Sequence, residues 1–223
     1  MERSQKLLKS GDAKVKAEMA LLQRIKETLE QAQPARRVEM TEEEQAVAKD
    51  LNLMTLKPVL FVANVSEEEV AKPDDNPHVK RVREYAAQEG AEVITVCAKV
   101  ESEIAELGDE DAKEFLAELG LSESGLDKLI KASYKLLGLI TFLTAGEQEV
   151  RAWTIRQGTK APQAGGKIHS DIERGFIRAE IVSYEDLVNC GSQNAAKEKG
   201  LVRLEGKDYI MKDGDVTYFR FNV

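Results

Sequence analysis

Two short apolar stretches with one helical segment between them limit what this chain can fold into. Residues 57–64 read KPVLFVAN and residues 92–97 read EVITVC, each of strand length. Asn76 and Pro77 predict a helix N-cap and first turn between them, and Gly90 predicts the end of that helix. Continuous apolar strands are typical of a parallel sheet that is buried on both faces. The order strand, helix, strand therefore predicts a right-handed parallel crossover.

The residues before this unit predict helices. Residues 1–31 form two helical pieces that are broken at Gly11-Asp12, which predicts a helical hairpin with a short first arm. Thr41 and Glu44 have the spacing of a capping box and predict a helix that runs to about residue 51. The apolar face of the second arm is predicted to consist of Val15, Met19, Leu22, Ile25 and Leu29.

Further along, residues 109–120 and 122–138 predict two more helices, and the pattern becomes strand-like from residue 139. The fold class is therefore α/β followed by α+β, with predicted boundaries of 1–56, 57–138 and 139–223. Within the last part we predict strands at 149–155, 176–182, 202–211 and 216–221, a hairpin turn at 212–215, and short helices at 167–174 and 184–188.

The formal charge of −8 is unevenly distributed along the chain. Residues 139–223 contain 12 basic and 12 acidic residues, so the whole excess lies in residues 1–138. A net negative charge argues against general polyanion binding, and any nucleic-acid contact is expected to be local. Two distant cysteines, Cys97 and Cys190, indicate a reducing compartment. With no signal peptide and no apolar run of membrane length, we expect a cytoplasmic protein without a membrane partner.

Polar groups follow both predicted strands of the central unit. Asn64 ends the first strand, and Cys97, Ala98 and Lys99 follow the second. Ligands of open parallel sheets bind beyond the carboxyl ends of the strands, so these two loops could hold a planar heterocycle. The alternative is that Asn64 only caps a turn.

Several stretches resemble one known family. Residues 57–69 (KPVLFVANVSEEE) and 96–107 (VCAKVESEIAEL) are similar to the end of the nucleotide-binding domain of YchF-type Obg-like ATPases, which belong to the translation-factor class of P-loop NTPases. Residues 144–155, 161–178 and 206–216 resemble the family's C-terminal TGS domain. The resemblance implies a helical, coiled-coil arm, the C-terminal portion of a parallel-sheet P-loop NTPase domain, and a β-grasp (ubiquitin-like) TGS domain.

The resemblance also implies a base-binding site. Guanine-specific (GTP-binding) relatives read their base with Asn-Lys-x-Asp, whereas Asn64-Val65-Ser66-Glu67 is similar to the family's Asn-x-x-Glu variant. The Asn64 amide can donate to adenine N7, and a backbone carbonyl near Val65 can accept from N6, which implies ATP rather than GTP. Cys97, Ala98 and Lys99 resemble the Ser-Ala-Lys loop that supports the base from the other side.

The sequence departs from the family at the phosphate site. A P-loop requires G-x-x-x-x-G-K-[ST], and neither Gly165-Gly166-Lys167-Ile168 nor Gly206-Lys207-Asp208 satisfies it. In the family, the phosphate, Mg²⁺ and switch elements would precede residue 1. The complete protein resembles an ATP-hydrolysing enzyme, but the chain as given contains no predicted catalytic or metal-binding residue. Its oligomeric state cannot be predicted.

The TGS resemblance implies contact with the ribosome or RNA. Trp153 and Phe176 lie among basic residues and could stack on bases, or they could be core residues beside solvated cations. His169 could polarise a ligand, or be a hydrogen-bonded structural residue. We therefore expect part of a regulatory ATPase that acts near the ribosome; the alternative is a nucleotide-independent interaction module built from the arm and the TGS domain. The predicted RNA contacts are Arg151, Arg156, Lys160, Lys167, Arg174 and Arg178.

Overall fold

The computed structural model describes residues 13–146 and 149–222. The first arm of the predicted hairpin lies outside these residues. Contacts divide the chain into two compact units, Met1–Lys128 and Leu129–Val223. Among the described residues, no helix is both long and apolar enough to cross a membrane.

The amino-terminal unit begins with two helices, α1 (Ala13–Glu30) and α2 (Glu42–Lys49). The capping box is confirmed: Thr41 accepts from the Glu44 N–H, and the Glu44 carboxylate accepts from the Thr41 N–H. The predicted apolar face of α1 is partly wrong. Leu21 is the most buried residue of the helix, whereas Leu29 is 38% exposed. Among residues 13–146, the buried residues that pack with Leu21 and Ile25 are Ala35 and Ala48.

The predicted order of strand, helix and strand, with parallel strands, is confirmed. Strand β1 (Leu60–Asn64), helix α3 (Pro77–Gln88) and strand β2 (Glu92–Val96) follow in order. The two strands pair in parallel, from Leu60 opposite Glu92 to Asn64 opposite Val96. The prediction that β1 is buried on both faces is wrong for this chain, since Val62 is 46% exposed. The reason is that this sheet has only two strands in the described residues.

Three helices follow β2, namely α4 (Ala98–Ile104), α5 (Asp109–Glu118) and α6 (Gly125–Leu136), and α6 crosses the division between the units. Helix α4 replaces the loop that we predicted at 97–99. It also fixes the start of α6, because the Glu101 carboxylate accepts hydrogen bonds from the backbone N–H groups of Gly125 (2.7 Å) and Leu126 (3.0 Å). A carboxylate at a helix N-terminus satisfies N–H groups that have no partner within the helix.

The carboxyl-terminal unit contains a five-stranded mixed sheet with the order β4-β3-β7-β5-β6. Its strands are β3 (Leu139–Ala145), β4 (Val150–Arg156), β5 (Phe176–Ser183), β6 (Arg203–Glu205) and β7 (Asp215–Phe221). Its helices are α7 (Ala161–Ile168), α8 (Ser170–Arg174), α9 (Tyr184–Cys190) and α10 (Gln193–Glu198).

The two faces of this sheet are covered differently. On the inner face, α7 and α8 close a core around Phe142, Ile181 and Phe219. A smaller cluster that includes Val182 and Val216 lies on the outer face.

The predicted hairpin at the end of the chain is wrong. The strand predicted at 202–211 ends at Glu205, and β6 pairs with β5 rather than with β7. Asp215 closes the intervening turn with its carboxylate, which accepts from the Lys212 N–H. Gly214, with φ of +76°, donates its N–H to Thr141. This turn directs β7 between β3 and β5 instead of back along β6.

Candidate functional site

The side chain of Asn64 connects the ends of β1 and β2. Its Oδ1 accepts a hydrogen bond from the Ala98 backbone N–H at 3.0 Å, and the residue is exposed. Because the carbonyl oxygen of the amide is engaged, the amide nitrogen is the side-chain group left for a further hydrogen bond. That nitrogen can only donate. The alternative prediction was that Asn64 only caps a turn; its side chain instead holds the backbone at the start of α4, 34 positions away.

The neighbouring Val65 and Cys97 are buried and give this edge a rigid base. They are 8% and 3% exposed, and they pack with Val70, Val79 and Val100. The Val65 N–H also donates to the carbonyl of Val96 at 2.9 Å. Both side chains therefore belong to the core, and these two residues can offer a ligand only their backbone groups.

Glu67 and Lys99 form an ion pair between the two loops. Lys99 Nζ lies 2.5 Å from Glu67 Oε2 and 3.8 Å from a Glu103 carboxylate oxygen. The hydrogen bond to Glu67 is the main cause that raises the pKa of Lys99 above its ordinary value, followed by the attraction of the Glu67 and Glu103 charges. Glu67 occupies the fourth position of the Asn-x-x-Glu motif, where guanine-specific relatives have Asp. In this structure its carboxylate is paired with the Lys99 ammonium group.

One residue that shapes the loop, Glu69, was missed by the sequence analysis. Glu69 accepts from both the backbone N–H and the hydroxyl of Ser66, and its other oxygen accepts from the Asn76 amide at 2.8 Å. The hydrogen bonds from Ser66 hold the pKa of Glu69 below its ordinary value. The spacing Ser-x-x-Glu, familiar from capping boxes, was the available signal.

The six residues predicted for base binding thus lie together at one edge of the two-stranded sheet. No cluster of three metal-binding side chains is found in residues 13–146 and 149–222, and the sequence has no P-loop motif.

The six cations predicted to contact RNA do not form one patch with the aromatic residues. Phe176 is 5% exposed and belongs to the core, so it cannot stack on a base. Trp153 packs against the same core and donates from Nε1 to Thr144 at 2.9 Å, with the Arg151 guanidinium 4.3 Å from the centre of its ring. His169 has the structural role that we considered, since its Nδ1 accepts from the Asp171 N–H at the start of α8.

The cations themselves are distributed over several elements. Lys160 pairs with Asp208, and Arg174 pairs with Asp171. Arg156 ends β4, Lys167 lies in the last turn of α7, and Arg178 lies in β5.

Comparison with known proteins agrees with the family resemblance. The family model YchF-GTPase_C, described as a protein of unknown function (DUF933), matches residues 139–222. A "Ribosome-binding ATPase YchF" of Bacillus subtilis is 61% identical over 99% of this chain and 60% of its own length. A protein of the same name from Haemophilus influenzae is 51% identical over 100% of this chain and 61% of its own length.

A solved structure shows the same relationship. The Schizosaccharomyces pombe "YchF GTPase" has a TM-score of 0.81 and 34% identity, covering 92% of this chain and 55% of that one. The chain therefore spans about 60% of the length of the relatives that it matches. The similarity extends through the amino-terminal unit as well as the sheet of the carboxyl-terminal unit. This chain belongs to the YchF family of Obg-like ATPases.

Proposed function

We propose that the complete protein binds ATP in preference to GTP and hydrolyses it as a regulatory ATPase. In this proposal, the present chain contributes the residues that bind the base, namely Asn64, Val65, Glu67, Cys97, Ala98 and Lys99. We call this part of the chain the base-reading edge. The observation that carries it is the hydrogen bond from the Ala98 N–H to Asn64 Oδ1, which leaves the Asn64 amide nitrogen as a donor. Adenine N7 accepts such a bond, as guanine N7 does, so the Asn64 amide supports purine binding. Discrimination comes from the adenine N6 donor, from which a backbone carbonyl near Val65 can accept.

The ion pair of Glu67 supports adenine over guanine. Guanine presents N1–H and N2–H donors, which require a free carboxylate at this position. Here Lys99 Nζ lies 2.5 Å from one oxygen of the Glu67 carboxylate, so the donors of guanine would compete with an existing ionic contact for this group. A site that leaves buried or paired groups unsatisfied discriminates strongly against the wrong ligand.

The relatives are named differently: the bacterial proteins are called ATPases and the fission yeast protein a GTPase. Binding of ATP and GTP should therefore be measured with the full-length protein and its Asn64→Ala variant. We expect wild type to favour ATP and the variant to lose about tenfold or more in ATP affinity, as when a hydrogen-bonding partner is left unpaired. Asn194→Ala, at an exposed position of α10, is the matched control. A preference for GTP, or an unaffected Asn64→Ala variant, would overturn the adenine proposal.

A second candidate function is supported by the carboxyl-terminal unit. Relatives of this chain are named ribosome-binding, and residues 139–223 are neutral rather than acidic. We infer that this part contacts the ribosome in the cytoplasm, as a TGS domain of β-grasp type, and that the arm assists it. Contact through Arg156, Lys167, Arg174 and neighbouring cations should weaken as salt rises, because phosphate contacts release counterions.

Co-sedimentation of the full chain with ribosomal subunits tests this second candidate, since it requires no nucleotide. We expect binding that falls steeply with salt and is weaker for Arg174→Glu. Binding that does not respond to salt, or no binding, would contradict it.

A further inference from the structure

The outer face of the five-stranded sheet carries an exposed aromatic ring among cations. Arg178 lies opposite Arg220, and Glu180 lies opposite Tyr218, in the antiparallel pair β5 and β7. Leu204 of β6 lies opposite Glu180. Residues directly opposite each other in an antiparallel pair share a face, so these five side chains project from the same side of the sheet.

This end of the face is open. Tyr218 is 57% exposed, Leu204 is 61% exposed, and the Arg220 side chain is 47% exposed. At the other end of the same face, α9 and α10 bury Val182 and Val216. We call the open end the β5–β7 face, and define it by Arg178, Arg220, Tyr218, Leu204 and Lys197.

The β5–β7 face has an excess of positive charge. The Glu180 carboxylate accepts from Arg220 at 2.5 Å and pairs with Lys197 at 3.3 Å, so one negative charge serves two cations. Arg178 has no ion-pair partner in the part of the chain that the structure describes. Two arginines directly opposite each other in a sheet also repel, which costs stability. An anion that binds between Arg178 and Arg220 removes that repulsion.

The shape of the face indicates the kind of anion. The Arg220 guanidinium lies 5.6 Å from the centre of the Tyr218 ring, so a flat aromatic surface and a phosphate-binding group are adjacent. Open sheets that present aromatic rings beside cations bind single-stranded nucleic acid by stacking the bases and pairing the phosphates. An acidic peptide would use the cations but would leave the exposed ring unused.

We propose that the β5–β7 face binds single-stranded RNA, with a base stacked on Tyr218 and phosphates held by Arg178 and Arg220. This inference rests on the proposed ribosome contact and assigns a surface and a chemistry to it. It also differs from the sequence prediction, which included Arg178 but named Trp153 and Phe176 as the stacking residues.

Fluorescence anisotropy with the full chain and a labelled single-stranded RNA of about 12 nucleotides, within the usual size of such sites, tests the proposal. Tyr218→Ala and Arg178→Glu should each weaken binding about tenfold, the loss of one stacked base or of phosphate contacts. Tyr184→Ala is the matched aromatic control, since Tyr184 is 54% exposed at the opposite end of β5. Lys212→Glu is the matched charge control, in the turn before β7. Both controls should bind as wild type does.

The outcomes separate this proposal from the one on which it rests. Equal losses of RNA affinity in Lys212→Glu and Arg178→Glu would mean that only net charge matters. That result would overturn the proposal that RNA binds at the β5–β7 face. Displacement of the RNA by polyglutamate as readily as by unlabelled RNA would do the same. If wild type sediments with ribosomal subunits but does not bind the RNA, the RNA proposal fails and the ribosome contact stands. If it binds neither, both fail.

Discussion

At the scale of single residues, a few side chains hold backbone segments that are distant in sequence. Asn64 and Ala98 are 34 positions apart, and Arg36 and Glu89 are 53 apart, yet each pair is hydrogen-bonded. The side chain of Glu89 has no exposed surface, and its carboxylate pairs with Arg36 and Arg37. Hydrogen bonds from Arg36 and Tyr85 hold the pKa of Glu89 below its ordinary value. No local sequence pattern specifies such pairs, and sequence analysis predicted neither.

Gly175 is required by the close approach of the last described strand. A Cβ atom at this position would lie 2.2 Å from the carbonyl oxygen of Asn222, which is backbone and cannot rotate away. We expect Gly175→Ala to lower the free energy of unfolding of the carboxyl-terminal unit by about 1–3 kcal/mol, the range for overpacking. Urea unfolding followed by Trp153 fluorescence measures this, because Trp153 is the sole tryptophan.

Gly206→Ala is the control for that measurement. Nothing lies within 4 Å of a Cβ at Gly206, and its φ is not in the left-handed region. The substitution should leave stability unchanged or raise it by up to about 1 kcal/mol, since alanine restricts the unfolded chain. If the two variants unfold at the same urea concentration, the close approach of Asn222 does not make a side chain at position 175 destabilising, and the prediction is wrong.

The environment of Tyr209 makes the stability of the carboxyl-terminal unit depend on pH in the alkaline range. Its hydroxyl donates to the buried Asp215 carboxylate at 3.0 Å. Burial, and then this hydrogen bond, raise its pKa from 10.0 to about 12. The unfolded chain therefore loses this proton at lower pH than the folded one. The stabilisation is complete below about pH 10 and is lost as pH rises towards about 12.

Replacing Tyr209 tests that pH dependence. Tyr209→Phe should cost about 1 kcal/mol at neutral pH for the lost hydrogen bond, and its stability should fall less steeply than that of wild type between pH 10 and 12. Tyr218→Phe removes an exposed tyrosine of the same unit and should retain the slope of wild type. Parallel curves for wild type and Tyr209→Phe would contradict the role of the Asp215 hydrogen bond.

At the scale of elements, local signals predicted boundaries well and sheet partners poorly. The Asn76-Pro77 start of α3 is confirmed, since the Asn76 side chain caps the N–H groups of His78 and Val79. Such caps act over three or four residues and can be read from sequence. The pairing of β7 with β3 depends instead on the Asp213 carboxylate, which accepts from the Thr141 N–H across 72 positions. Sequence analysis therefore predicted strand β7 but gave it the wrong partner.

The start of α2 allows a test of how much the capping box stabilises this helix. Glu44 takes part in the capping box with Thr41 and also accepts a hydrogen bond from Arg24 of α1. Thr41→Ala should lower the free energy of unfolding of the amino-terminal unit by about 1 kcal/mol and speed amide hydrogen exchange in the first turn of α2. Thr55→Ala is the control, because the Thr55 side chain makes no hydrogen bond in the described part of the chain. Unchanged exchange in Thr41→Ala would show that Arg24 alone fixes this helix start.

At the scale of the whole molecule, charge and binding chemistry are divided along the chain. The acidic excess lies in residues 1–138, which contain the proposed base-reading edge, while residues 139–223 are neutral. An acidic surface repels phosphates, so the base-reading edge needs a separate phosphate-binding group in order to hold a triphosphate. The division of charge could be predicted from the sequence, because it depends only on counting charged residues along the chain. The β5–β7 face could not be predicted in this way, since its cations come from three separate elements.

The division predicts how the 223-residue chain itself binds nucleotides. Asn64 and the loops beside it contact only the base in our proposal, and no P-loop motif stands in the sequence. We therefore expect this chain to bind adenosine and ATP weakly, with affinities that agree within about threefold, or less than 1 kcal/mol. Addition of Mg²⁺ should change neither affinity. NMR titration of the Asn64 side-chain amide with adenosine, ATP and guanosine measures this, and guanosine should shift the amide least. ATP that binds tenfold more tightly in the presence of Mg²⁺ would show that residues of this chain hold the phosphates, contrary to the division proposed here.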